Sequence, residues 1–201
     1  MASDITLYGV GYTRSARCRW TLQELGLDFE QPDSGSMIGS DELRAFHPQS
    51  KLPAIVINGE RLFESAAICT YLCDLNPDKG LIAPPGTHER ALHDQWVSFG
   101  LSELEGYLWS TAKHSGFYPE EKRVPEVIPS NTEELLKGIA VLNDVLADTD
   151  YLVGGKFSVT DVILGWTLNW ARRMGHLGDF VPVQAYVARL LEREHCALNP
   201  G

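Results

Sequence analysis

The chain has 201 residues, 44% of them hydrophobic, and carries 17 Lys and Arg against 27 Asp and Glu, for a net charge of −10. This length allows a sizeable core in one large domain or two small ones, and the negative charge argues against a nucleic-acid partner. Because the sequence has neither an apolar run of the roughly 20 residues that span a bilayer nor the pattern of a secretory signal, we expect a cytoplasmic protein without a membrane partner.

The first third of the chain predicts strands that alternate with helices. The segment "DITLYG" indicates a strand, and "TRSARCRWTLQELG" indicates a helix that Thr13 or Ser15 caps and Gly26 ends. The segment "LDFEQP" predicts a second strand, and a short helical turn capped by Ser40 follows it around Asp41–Phe46. Since a helix connects the first two strands, we expect them to be parallel.

A hairpin and a further helix complete this first part. The segments "PAIVI" and "RLFE" predict two antiparallel strands, because Asn58-Gly59 between them is a strong hairpin signal. The segment "SAAICTYLCDL" predicts a helix that ends at Asn76-Pro77. The resulting order of elements is β-α-β-(α)-β-β-α.

The rest of the chain predicts helices only. The Pro- and Gly-rich stretch "NPDKGLIAPPGTHE" indicates a linker, so we assign residues 1–78 to a first domain, 79–86 to the linker and 87–201 to an all-helical domain. Apolar residues at helical spacing predict a long helix from about Thr87 to His114. Later segments predict three more helices, one capped by Asn131 and one by the box Ser158-Val159-Thr160-Asp161.

The four cysteines show neither CxxC spacing nor the density of a secreted scaffold. Cys69 and Cys73 share a predicted helix face, but no His or Cys close in sequence completes a metal site with them. We therefore expect buried free thiols and no metal.

Five segments, in this order, resemble the cytosolic glutathione S-transferase family: "LYG", "TRSARCRWTLQELGLDFE", "HPQSKLPAIV", "FESAAICTYL" and "FSVTDVILG". Their combination is more specific than any one of them, because Leu-Pro-Ala-Ile is followed at the family's distance by Glu-Ser at a helix start. The resemblance implies an α/β thioredoxin-like N-terminal domain, an all-α C-terminal domain, glutathione as co-substrate and a homodimer.

The resemblance also implies where glutathione binds. Pro53 is expected to follow a cis peptide bond, which turns the N–H and C=O of Leu52 toward the tripeptide as toward an added strand. Lys51 is expected to hold the glycyl carboxylate, with His47 placed to help it.

The Glu64-Ser65 pair is expected to bind the γ-glutamyl end of glutathione. Ser65, as the cap of the following helix, would bind the carboxylate at the positive end of the helix dipole. Glu64 would pair with the ammonium group, a role that simple helix capping does not explain.

The thiol of glutathione must be ionised to react, yet with a pKa of about 8.5 only about 3% is thiolate at pH 7. A helix N-terminus and one hydroxyl donor can stabilise the anion sufficiently. Within "YGVGYTRSAR" we expect Thr13 as the donor, then Ser15, then Tyr8, with Tyr12 as a further alternative. Thr13-Arg14-Ser15 resembles the Ser-Arg-Ser version of many bacterial and fungal members. No cysteine lies there, which disfavours the cysteine-type chemistry.

The family's activity would be conjugation of the thiolate to a small apolar electrophile. We expect Tyr107 and Tyr118 to line its pocket, because a phenol tolerates a half-wet cleft, and Trp166 and Trp170 to pack in their helix. Two alternatives stay open. One is a glutathione-dependent isomerase or dehalogenase, and the other is a non-catalytic interaction protein on the same fold.

Overall fold

Three strands form an antiparallel sheet in the computed structural model, which describes residues 4–11 and 13–198. The strands are β1 (Ile5–Tyr8), β2 (Ala54–Ile57) and β3 (Glu60–Phe63), in the spatial order β1-β2-β3. Asn58 and Gly59 between β2 and β3 have φ values of 51° and 86°. Positive φ at both positions is the geometry of the tight hairpin turn, so the predicted hairpin is confirmed.

The second predicted strand forms only isolated pairs with β1. Glu30 pairs with Thr6 and Asp33 with Gly9, both in the parallel sense. The N–H of Leu7 donates to the carbonyl of Glu30 at 2.8 Å. The predicted direction is therefore confirmed, while a regular strand is not formed. Pro32, which has no N–H to donate, interrupts the ladder.

Helices make up most of the remaining structure. Their bounds are α1 (Ser15–Leu25), α2 (Asp41–Arg44), α3 (Ser65–Asp74), α4 (His88–Phe99), α5 (Gly106–Ala112), α6 (Val127–Leu146), α7 (Val159–Arg173) and α8 (Val181–Leu191). Helices α1 and α3 contact the sheet and each other, and α7 contacts α1, α3, α4 and α8. This arrangement of an α/β thioredoxin-like unit beside a helical unit confirms the predicted fold class. No helix among the described residues is long and apolar enough to cross a membrane.

The long predicted helix is a continuous helical segment with two changes of winding. Between α4 and α5 the chain forms a π-helical stretch at Gly100–Glu105, and a second one follows α5 at Lys113–Phe117. Thr87 caps α4 by accepting a hydrogen bond from the N–H of Arg90 at 3.2 Å. Such π-helical turns occur frequently at functional sites, and Phe117 of the second one lines the cavity described below.

The two predicted caps of the later helices had different outcomes. The Ser158–Asp161 capping box at the start of α7 is confirmed, with the N–H of Ser158 donating to Asp161 at 2.8 Å. The cap at Asn131 is wrong, because α6 already begins at Val127. Pro129 lies in the first turn, where a missing N–H costs the helix nothing.

Candidate active site

A cavity of about 780 Å³ is lined by residues of both halves of the chain. The sheet-containing half contributes Thr13, Arg14, Ile38, Lys51 and Leu52. The helical half contributes four aromatic side chains, Trp109, Phe117, Trp166 and Trp170, and around them Ala112, Asn169, Arg173, Met174 and Leu198. The residues predicted at the start of α1 and beside β2 therefore meet an aromatic wall that the sequence did not assign to the site.

Thr13 lies at this cavity, two residues before the first residue of α1. Its hydroxyl donates to the carbonyl of Val10 at 2.8 Å and lies 2.7 Å from the hydroxyl of Ser15. The N–H of Ser15 also points to the Thr13 oxygen, at 3.4 Å. With Thr13 donating to Val10, the Ser15 hydroxyl is the donor in the pair, so the two hydroxyl groups form a short chain.

Ser15 itself is fully buried and does not line the cavity. It packs against Gly9, where an added Cβ would lie only 2.5 Å from the Ser15 Cβ. Of the two hydroxyl groups predicted as thiol donors, Thr13 therefore lies at the cavity and Ser15 lies behind it.

The other proposed donors are placed differently. Tyr8, at the end of β1, stacks on Phe46 with ring centroids 4.4 Å apart, so its ring has a packing role. Tyr12 is outside the described residues. Cys18 is fully buried in α1, and burial raises the pKa of its thiol well above the ordinary value, so its sulfur is neither exposed nor ionised.

The segment before β2 has the predicted backbone geometry. The Leu52–Pro53 peptide bond is cis, and Leu52 and Lys51 both line the cavity. Lys51 is exposed and donates to the side chain of Gln49 at 2.6 Å. His47 is buried, its Nδ1 accepts from the N–H of Gln49 at 3.1 Å, and burial lowers its pKa. His47 therefore holds the loop, and it is Lys51 that presents a positive charge.

Ser65 differs from its prediction as a helix cap. It is the first residue of α3, and Glu64 with φ of 72° occupies the capping position. The Ser65 side chain is 2% exposed and its oxygen accepts a hydrogen bond from Arg17 at 3.1 Å. Glu64 is exposed beside it. The carboxylate is thus available to a ligand, whereas the Ser65 hydroxyl is held inside and only its backbone lies at the helix start.

A buried ionic network lies behind these residues. The carboxylate of Glu105 accepts hydrogen bonds from Arg14 and Arg17, and from the hydroxyl of Thr167 at 2.9 Å. Burial alone would raise the pKa of Glu105, but the charges of Arg17 and Arg14 lower it to about 2. Sequence reasoning missed Glu105. The available signal was its position on the apolar stripe of the long helix, four residues after Leu101 and three before Leu108.

The aromatic wall surrounds the guanidinium group of Arg14. Its carbon lies 5.2 Å from the ring centre of Trp109 and 5.7 Å from that of Trp166, distances typical of cation–π contacts. Tyr107 and Tyr118, the predicted pocket residues, are not among the residues that line this cavity. Tyr107 packs against the core, and Tyr118 contacts the ring of His114. Helical spacing located the aromatic segment but could not distinguish its cavity face from its core face.

No group of three or more His, Cys, Asp or Glu residues suited to a metal ion occurs among residues 4–11 and 13–198. The cavity instead combines the Thr13 hydroxyl at a helix start, a lysine, two arginines and an aromatic wall, and the exposed Glu64 is not among its lining residues. Together with the fold, these features define a protein in which a thioredoxin-like unit and a helical unit line one cavity.

Comparison with known proteins gives the same class. The family model described as "Glutathione S-transferase, N-terminal domain" matches residues 7–80, and the one described as "Glutathione S-transferase, C-terminal domain" matches residues 125–190. The chain belongs to the glutathione S-transferase family.

Individual relatives agree with this assignment. Glutathione S-transferase GstA of Escherichia coli O157:H7 is 29% identical over 86% of this chain and 86% of its own length. The glutathione S-transferase-like protein tpcF of Aspergillus fumigatus is 32% identical over 81% of this chain and 76% of its own. The crystal structure of glutathione transferase URE2P6 from Phanerochaete chrysosporium, in complex with oxidized glutathione, superposes with a TM-score of 0.85. It is 27% identical and covers 97% of this chain and 94% of its own.

Proposed function

We propose that this protein binds glutathione, stabilises its thiolate and transfers it to a small, mainly apolar electrophile. The observation that carries the proposal is that Thr13, Lys51 and Leu52 line the same cavity as the aromatic wall. A nucleophile held at the hydroxyl would therefore face a space suited to an apolar partner. Holding two reactants together in this way is a large source of rate acceleration in itself.

Glutathione would bind as an extended peptide along the segment before β2. The backbone of Leu52, beside the cis peptide bond, pairs with the cysteinyl residue in the manner of an added strand. Lys51 then binds the glycyl carboxylate, and Glu64 binds the γ-glutamyl ammonium. The γ-glutamyl carboxylate is bound by the backbone N–H groups at the start of α3, which carry the positive end of the helix dipole.

The thiolate would be stabilised by Thr13. Lowering the pKa of a thiol by two units requires about 2.7 kcal/mol of preference for the anion, which a charge-assisted hydrogen bond and a helix N-terminus together provide. When Thr13 turns its proton from the carbonyl of Val10 to the sulfur, the Ser15 hydroxyl still donates to the Thr13 oxygen. Thr13 is thus the group at the sulfur, and Ser15 is a positioning residue behind it.

The chemical step would be attack of the thiolate on the electrophile in the aromatic cavity. The sulfur electron pair forms the new C–S bond, and the leaving group departs with the electron pair of the bond that breaks. The thiol proton has already gone to solvent when glutathione ionises. This protein's residues act by holding the sulfur, excluding water from the aromatic side and orienting the partner.

A cytoplasmic homodimer is part of the same proposal and stays a prediction. We propose that the second copy covers the open groove between α3 and α4, which includes the 42%-exposed Tyr71. Analytical ultracentrifugation of the wild type and of Tyr71→Glu measures the oligomeric state directly. A monomeric wild type at micromolar concentration would contradict this part alone.

Two measurements test the proposed activity. Isothermal titration calorimetry should show one glutathione site per chain, and a chlorodinitrobenzene should give a glutathione-dependent rise in absorbance from the conjugate. Thr13→Val should retain binding and lose most of the rate. If glutathione does not bind at millimolar concentration, the chain is an interaction protein on this fold and the proposal is wrong.

A further inference from the structure

The charged side chains that line the cavity are all cationic. They are Arg14, Lys51 and Arg173, and no Asp or Glu is found among the lining residues that the structure describes. The whole chain carries a net charge of −10, so a cavity with this composition differs from the average surface. Positive groups concentrated in a cleft attract anions and hold them there.

Glu105 does not neutralise this positive charge completely. Its single carboxylate is shared between Arg14 and Arg17, so two guanidinium groups share one negative charge. The Glu105 side chain is only 5% exposed, which leaves Arg14 between the carboxylate and the cavity. Lys51 lies beside Leu52, where the glycyl carboxylate of glutathione is proposed to bind. Arg14 and Arg173 are therefore the cations on the side of the second substrate.

Arg173 lies on the same face of α7 as the two tryptophans that this helix contributes to the aromatic wall. Trp166, Trp170 and Arg173 are spaced by four and three residues, which places them on one side of a helix, and all three line the cavity. Arg172, one residue earlier, is not a lining residue, and it donates to Asn169 at 2.9 Å. The last turn of α7 thus directs one of two adjacent arginines to the cavity.

The remaining lining residues favour a flat aromatic body. Ile38, Phe117 and Met174 are exposed by 53%, 72% and 37%, and they lie at the cavity rather than scattered over the surface. Indole rings stack on flat rings and also attract cations to their faces. A guanidinium group binds a carboxylate through two parallel hydrogen bonds.

We propose that the electrophile of this protein is an aromatic carboxylate. Its ring stacks in the aromatic wall, and its carboxylate binds Arg173 beside Arg14. This inference rests on the proposed transferase function and specifies its substrate class. Arg173 is then the specificity-determining residue for the second substrate, and Thr13 acts on the first. The chemical step is the one proposed above: the thiolate sulfur forms a bond to the ring carbon, and the halide leaves with the electron pair of the carbon–halogen bond.

The test compares para-chloro-meta-nitrobenzoate with its methyl ester, a pair that differs in one charge. For each, kcat/KM is divided by the rate constant of the uncatalysed reaction with glutathione, which removes the difference in intrinsic reactivity. In the wild type the normalised value should be about tenfold higher for the carboxylate, as expected for one charge-assisted contact. Arg173→Gln should lower the normalised kcat/KM of the carboxylate about tenfold relative to that of the ester and so remove the preference, and Arg173→Lys should retain part of it.

Arg172→Gln is the matched control, because it removes the same charge from the same helical turn and should leave the preference unchanged. Equal values for the two compounds in the wild type would overturn the inference while leaving the transferase function intact, since the ester is still conjugated. A preference that survives Arg173→Gln would overturn the role of Arg173. If neither compound reacts, calorimetry with the two glutathione conjugates decides: tighter binding of the ester conjugate overturns the inference. Absence of glutathione binding overturns the proposed function.

Discussion

The guanidinium group of Arg17 is fully buried and binds the carboxylate of Glu105, a residue 88 positions further along the chain. Arg17 also donates to the Ser65 hydroxyl at 3.1 Å and to the carbonyl of Ile163 at 3.0 Å. One side chain of α1 thereby connects the start of α3, where glutathione is proposed to bind, with the π-helical turn and α7. The geometry of the peptide site therefore depends on the helical half of the protein.

Replacing Glu105 with Gln should destabilise the protein strongly. The substitution leaves two guanidinium groups without their shared carboxylate, and removal of one partner of a buried ion pair typically costs about 3–5 kcal/mol. Urea denaturation followed by circular dichroism measures the free energy of unfolding. Glu103→Gln, an exposed site in the same π-helical turn, should change it by less than about 0.5 kcal/mol.

The same carboxylate predicts sensitivity to acid. The pKa of Glu105 in the folded protein is about 2, below the ordinary value of 4.5. Its contribution to the free energy of unfolding is therefore fully present above pH 4.5 and is lost as the pH falls from 4.5 toward 2. Equal stability of Glu105→Gln and Glu103→Gln at neutral pH would contradict both expectations.

His93 predicts a second loss of stability on acidification, in a pH window above that of Glu105. Its ring lies between Thr160, 2.8 Å from Nδ1, and Thr70, 3.1 Å from Nε2, and burial lowers its pKa to about 4 from 6.5. A histidine that stays neutral when folded but protonates when unfolded destabilises the fold as the pH drops from about 6.5 to 4. The free energy of unfolding should fall by at most about 3 kcal/mol across this window.

The measurement is the free energy of unfolding between pH 7.5 and 4.5 for the wild type, His93→Gln and His88→Gln. His93→Gln should be less stable at neutral pH and show a flatter dependence, because the titrating group is gone. His88 is exposed at the start of α4, so its replacement should leave the slope as it is. A slope that persists in His93→Gln would assign it to other groups.

The sequence predicts those features of the fold that local chemistry determines. The Asn58-Gly59 turn, the Ser158–Asp161 box and the Ser40 cap all depend on a few neighbouring residues, and all are present. The Asn131 cap was wrong because a polar residue before an acidic pair also fits the second turn of a helix that starts earlier. Local patterns alone do not distinguish these two cases.

Three of the residues predicted for the glutathione side line the cavity, and neither of the two predicted for the electrophile pocket does. Lys51, Leu52 and Thr13 line the cavity as their segments indicated, since each lies at a strand or helix end. The wall depends instead on which face of α5 and α7 meets the cavity, and that follows from packing between distant segments. Trp109 and Trp166 therefore line the cavity, whereas Tyr107 and Tyr118 do not. The helical spacing of the sequence does not distinguish these two pairs of residues.

Glu64→Gln should weaken glutathione binding at least tenfold. The substitution retains the shape of the side chain at a residue with φ of 72° but removes the charge that is proposed to pair with the γ-glutamyl ammonium, a contact worth about 1.5–3 kcal/mol. Calorimetry gives the dissociation constant. Glu60→Gln on β3, an exposed site, should bind as the wild type does, and an unchanged constant for Glu64→Gln would exclude the pairing.

The thiol donor is decided by three single substitutions at the start of α1 and the end of β1. Thr13→Val, which retains side-chain volume, should raise the pKa of the bound thiol by about one unit with little change in affinity, because it removes one hydrogen bond to the anion. Ser15→Ala should raise it less, since the Ser15 hydroxyl lies behind Thr13 and acts only through it. Tyr8→Phe should leave it unchanged, because that ring stacks on Phe46. The ultraviolet absorbance of the thiolate as a function of pH gives the pKa of the bound thiol in all three variants. A larger shift of this pKa in Ser15→Ala or Tyr8→Phe than in Thr13→Val would transfer the donor role to that residue.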